Sequence, residues 1–138
     1  MWAHTKIDAI KYIDKSRYMD SERAILALAA LAQSTRLEVF RLLAKHEPAG
    51  LAAGDIAKKL AVPQNTMSSH LSILSRAGLV TARRVSRSIV YRADLKAFQA
   101  VVVFMLRDCC DGRPEICGPL IEDLTPCCPP KTRRKAHV

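Results

Sequence analysis

Pro63 is the residue that most restricts how this chain can fold. Apolar residues recur at helical spacing on both sides of it: Ile56, Ala57 and Leu60 before, Met67, Leu71 and Leu74 after. A proline cannot continue the helix that precedes it, because it lacks an amide proton and its ring collides with the preceding turn. The stretch "KKLAVPQNTMSSHL" therefore predicts two helices, about 53–60 and 64–77, joined by the tight connection "AVPQ". Gly78 supplies the stop of the second. Their outward sides differ. The first presents Lys58 and Lys59, the second Gln64, Asn65, Ser68, Ser69 and Ser72. Serines are mediocre helix formers, so several on one face are hard to explain as helix stabilisers.

The flanking sequence completes a mainly α domain with a small β-hairpin. Asp20 or Ser21 caps a helix through "ERAILALAALA". Ser34 caps the next, "TRLEVFRLLAKH", in which Leu37, Phe40 and Leu43, with Val39 and Leu42, form a broad buried face ended by Pro48 and Gly50. After Gly78, "LVTARRV" and "SIVYRA" meet near Ser86 and Arg87 and read as a hairpin. Asp94 caps a last helix through about Asp108. Beyond Cys110 the density of glycine and proline (Gly112, Pro114, Gly118, Pro119, Pro126, Pro129, Pro130) predicts a loop or disordered tail with no regular element. The 138 residues suffice for one core. They divide into an arm or short helix at 1–20, where Ile7, Ile10 and Ile13 are spaced by three, a folded domain at 21–110, and a Cys- and Pro-rich basic tail at 111–138.

Charge narrows the partners. The formal net charge is +9, and from Ile56 to Ala93 the chain carries Lys58, Lys59, Arg76, Arg83, Arg84, Arg87 and Arg92 with no acid. A run of one sign attracts a polyanion and predicts salt-dependent phosphate binding. No secretory signal is visible in "MWAHTKIDAIK", and "AILALAALA" and "AVVVFML" are far shorter than a membrane span. A cytoplasmic protein is expected, with no membrane partner. In that compartment thiols stay reduced, so five cysteines suggest metal or redox chemistry rather than a disulfide framework.

Two helices joined by a tight turn, the second polar outside, followed by a basic hairpin, form the plan of a winged helix-turn-helix. Such a helix enters the major groove, where Gln and Asn pair with base edges and Ser or Thr reaches bases or phosphates. His70 either touches DNA or packs against the backbone of the turn. Strand side chains alternate, so Arg83, Arg84, Arg87 and Arg92 cannot all point one way. Arg84 and Arg87, nearest the tip, are the phosphate or minor-groove candidates.

"LAALAQSTRLEVFRLL", "GDIAKKLAVPQNTMSSHLSILSRAGLV" and "RRVSRSIVYRAD" resemble the ArsR/SmtB family of arsenical- and metal-responsive repressors over about Ser21 to Leu120. The resemblance implies a homodimer, formed through N- and C-terminal helices, that binds double-stranded operator DNA and releases it on binding a metal or metalloid. It places DNA contacts on Gln64, Asn65, Thr66, Ser68, Ser69 and His70, with Arg84 and Arg87 in the wing. Of three sensing positions in the family, a Cys-x-Cys pair is missing, because Ala52 and Gly54 stand there. A zinc site on the last helix is also missing, since "DLKAFQAVVVFMLRD" holds no histidine. The third, a thiolate cluster ending that helix, resembles "CCDGRPEIC", the arrangement of arsenite-responsive members.

The residues themselves support that site. Leu95, Phe98, Val102, Met105 and Cys109 recur at helical spacing as a helix–helix seam, which in a dimer would pack against its mate. Cys110 lies one step around. Adjacent cysteines rarely close a disulfide with each other, because the ring is strained. Gly112 and Pro114 let the chain turn back and bring Cys117 within reach. Three thiolates suit trigonal As(III) or Sb(III), whereas Cd(II) and Zn(II) usually want a fourth ligand. Cys127 and Cys128 are additional ligands or, preferably, bystanders. No permanent cofactor is expected; As(III) or Sb(III) is the expected inducer. The alternatives are a Cd(II)- or Zn(II)-responsive repressor, or a thiol redox sensor pairing Cys109 or Cys110 with Cys117. An enzyme is not expected: there is no phosphate-binding glycine loop, no base beside a nucleophile, and little chain left for a substrate pocket.

Overall fold

A computed structural model of the chain describes residues 19–107 and 113–124. The expectations for residues 1–18 and for Cys109, Cys110, Cys127 and Cys128 lie outside them. The chain divides into two compact units, Met1–Phe104 and Met105–Val138.

The first helix, α1 (Ser21–Leu31), starts where Asp20 Oδ1 accepts the Arg23 amide at 2.8 Å. It buries Ala24, Ala27 and Ala30 and leaves its large residues outside: Ile25 is 65% and Leu26 58% exposed. Helix α2 (Ser34–Lys45) is capped one residue earlier than expected. Gln33, not Ser34, has extended backbone, and its Oε1 accepts the Arg36 amide at 2.8 Å. Glutamine is not a favoured cap, so its longer side chain does here what the sequence rule assigns to serine. Arg36 Nε also donates to the Ala30 carbonyl at 2.6 Å, placing a cation on the carbonyl-rich end of α1. Val39, Phe40 and Leu43 are buried as expected, but Leu37 is 43% exposed, because it lies off the face that meets the core.

A two-residue strand, β1 (Leu51–Ala52), precedes α3 (Ala53–Leu60). Two residues are too few to show the alternation by which a strand is recognised in sequence. Ile56 and Ala57 of α3 are buried, Leu60 is half-buried, and Lys58 and Lys59 face solvent. Ala61 closes the helix in a left-handed conformation, and the Pro63 carbonyl then accepts the Met67 amide at 2.9 Å to open α4 (Gln64–Arg76). Met67, Leu71 and Leu74 are fully buried, as their spacing predicts.

Strands β2 (Val80–Val85) and β3 (Ser88–Ala93) form the expected antiparallel hairpin around Ser86 and Arg87. The three-stranded sheet has the order β1-β3-β2. Gly50, at φ +74°, admits the close approach of β3: a Cβ there would lie 2.5 Å from the Tyr91 carbonyl oxygen. Asp94 Oδ1 accepts the Ala97 amide at 3.0 Å and starts α5 (Leu95–Arg107), whose Val101 is buried. The Phe98 ring lies 5.2 Å from that of Phe40.

The expectation that nothing regular follows Cys110 fails. Residues Pro114–Leu124 form a helix, α6, with Pro119 inside it. Pro114 occupies the first helical position, where the missing amide has no partner in any helix and the fixed φ is already helical. A proline is a breaker in a helix interior, not at this position.

Candidate nucleic-acid interface

The three fully buried residues of α4 fix its orientation. With Met67, Leu71 and Leu74 inward, the helical period turns the other side to solvent, and Gln64, Asn65, Thr66, Ser68 and Ser69 are all exposed. A shallow groove on this helix is lined by Ser68, Ser69, Ser72, Ile73 and Arg76. Ile73 and Arg76 were not read as part of this face. The signal for them was the four-residue step from Ser69 to Ile73 and from Ser72 to Arg76. Ser69 Oγ donates to the Asn65 carbonyl at 3.3 Å, so its proton is engaged within the helix and its lone pairs remain for a donor. His70 is half-buried, with its Nδ1 shut off from solvent and without a hydrogen-bond partner.

On the hairpin, Arg83 pairs with Val90 and Arg84 with Ile89, so the two arginines lie on opposite faces of the strand. Arg87 sits in the turn, and all three are exposed. Arg92 is different. Its Nη2 lies 2.6 Å from Glu47 Oε2, and its Nε donates to Glu47 Oε1 at 3.3 Å. This forked bond to Glu47, with the attraction between the charges, raises the Arg92 pKa above its ordinary value. One cation of the acid-free run is therefore neutralised by an acid that lies outside the run. Its partner is 45 residues away in sequence, too distant for a local charge count to reveal.

The other predicted sites are placed in part. Leu95, Phe98 and Met105 of α5 are exposed and Val102 is half-buried. Cys117 lies on α6 and is half-buried. Among the described residues, no three of His, Cys, Asp and Glu gather into a metal-binding group, and Cys117 is the one cysteine of the proposed set that they include. Among them, too, no helix is long and apolar enough to cross a membrane.

Residues 31–83 match the model of a helix-turn-helix domain. Over 88 residues the chain is 32% identical to the uncharacterized HTH-type transcriptional regulator YbzH of Bacillus subtilis, spanning 55% of this chain and 88% of that protein. It is 39% identical over 82 residues to the biofilm growth-associated repressor of Agrobacterium fabrum, spanning 59% of this chain and 67% of the repressor. Among solved structures, a homodimeric winged helix-turn-helix DNA-binding domain from Mycobacterium bovis, described as a possible ArsR-family transcriptional regulator, superposes with a TM-score of 0.51 at 29% identity. That match covers 63% of this chain and 80% of the domain.

Proposed function

The chain belongs to the ArsR family of winged helix-turn-helix transcriptional regulators, and we propose that it is a homodimeric repressor that leaves its operator when cysteine thiolates capture As(III) or Sb(III). The observation that carries the DNA-reading half is the surface of α4: five polar residues are exposed on the helix whose three large apolar residues are fully buried. Gln64 and Asn65 have the donor and acceptor pairs that read base edges, and Thr66, Ser68 and Ser69 suit bases or phosphates. Arg84 and Arg87 on the wing supply charge for phosphate, without sequence preference.

The inducer half rests on donor chemistry. Cys109, Cys110 and Cys117 offer three soft thiolates and no nitrogen or oxygen ligand among them, a set that matches the three bonds of trivalent arsenic or antimony. Cys127 and Cys128 are bystanders in this reading. The test is a titration of fully reduced protein, bound to operator DNA, with As(III), Sb(III) and Cd(II). Release by As(III) or Sb(III) at lower concentration than Cd(II) is expected. Cys110→Ser and Cys117→Ser should keep DNA affinity and lose the response. Serine variants that respond as the parent does would show the site to be elsewhere. Release only on oxidation would favour a thiol redox sensor.

A further inference from the structure

We propose that His70 serves DNA recognition as a single-tautomer donor, with its proton held on Nε2 because Nδ1 is buried without an acceptor. This rests on the reading of α4 as the DNA-contacting helix. His70 follows Met67 by three residues and precedes Leu74 by four, a spacing that puts it beside two fully buried apolar residues. Among the described residues, its Nδ1 is the sole side-chain nitrogen or oxygen that is both buried and unpartnered, so Nε2 is not in that state. Leaving either a donor or an acceptor buried and unpaired costs free energy, but a proton on Nδ1 would create an orphaned N–H, the rarer of the two in folded proteins. The proton therefore sits on Nε2. His70 offers the DNA a directed hydrogen bond.

His46 supplies the contrast within the same chain. Its Nδ1 lies 2.9 Å from the Leu42 carbonyl oxygen, which can only accept, so there the proton is on Nδ1. The two histidines hold opposite tautomers. For recognition, an Nε2–H donor matches guanine N7 or O6, adenine N7, thymine O4 or a phosphate oxygen, and finds no partner in the cytosine amino group.

Two readouts test this. The first is a long-range proton–nitrogen NMR spectrum of the full chain at neutral pH, with His70→Gln used to identify the His70 signals. His46 should appear as the Nδ1–H form and His70 as the Nε2–H form. The second is binding to a duplex selected from random sequence by the wild-type protein. Glutamine sets its amide nitrogen near the place of Nε2, asparagine near that of Nδ1. His70→Gln should stay within about threefold of wild type, and His70→Asn should bind about tenfold more weakly, with unchanged thermal midpoints in both. A His70 signal from the Nδ1–H form or from an exchanging mixture overturns the proposal, as do equal losses for the two variants. Wild-type protein that selects no duplex would overturn the reading of α4 together with it. Selection followed by equal losses would overturn the donor role alone.

Discussion

Helices α1 and α4 solve opposite packing problems. In α4 the large apolar residues Met67, Leu71 and Leu74 are inside and short polar residues are outside, the arrangement expected of a surface helix. In α1 the arrangement is reversed: Ala24, Ala27 and Ala30 face the core, and Ile25, Leu26 and Leu28 face solvent. Alanines inside allow a close approach of α1 to its neighbours. Large apolar residues outside are a cost that a lone subunit does not recover. The exposed face of α4 suits a polar, charged partner, and that of α1 suits an apolar one. With exposed Leu95 and Phe98 on α5, a second copy of the chain is the occupant we propose, joined through α1 and α5 as an isologous pair.

The contrast can be broken at four points. Leu71→Ala, on the inward face of α4, should cost about 2–5 kcal/mol in denaturant unfolding, because it empties a fully enclosed site. Leu26→Glu, on the outward face of α1, should leave the subunit folded but monomeric. DNA affinity should then fall by roughly a hundredfold, since two linked contacts become one; gel filtration beside a binding isotherm measures both. Ala27→Leu, on the inward face of the same helix, should lose about 1–3 kcal/mol of stability through overpacking. If Leu26→Glu instead unfolds the subunit while Ala27→Leu is tolerated, the two faces of α1 have been exchanged. The smallest effect is expected at the wing. Arg84→Ala and Arg87→Ala should each weaken binding to every sequence and lower the salt dependence by about one phosphate contact.

The same contrast separates what the sequence made legible from what it hid. Helix α4 was readable because its polar and apolar residues fall on different faces and Pro63 marks its start. Helix α1 was readable as a helix only. "AILALAALA" is apolar all round, so periodicity could not say that the alanines go inward. Leu37 was misplaced for a related reason: an apolar residue near a broad face was assigned to it. Gln33 as a cap, the two-residue strand β1 and the Glu47–Arg92 pair depend on backbone conformation or distant partners, which local patterns do not carry. Helix α6 is hidden by its own composition: Pro114, Gly118 and Pro119 are breakers by type, and only its position makes Pro114 a helix start. At the candidate site, the polar residues of α4 were found by type and spacing. Ile73 and Arg76 line the same groove but are not legible by type, because an apolar residue and a lone arginine depart from the short polar pattern of their neighbours.

We propose that the two outward faces serve two partners, a second subunit and DNA. Sedimentation of the wild-type chain at micromolar concentration, alone and with a labelled duplex that it has selected, tests both at once. Two chains in free solution and two chains per duplex are expected, with half-sites about one turn of DNA apart. A single chain in both states would contradict the proposal.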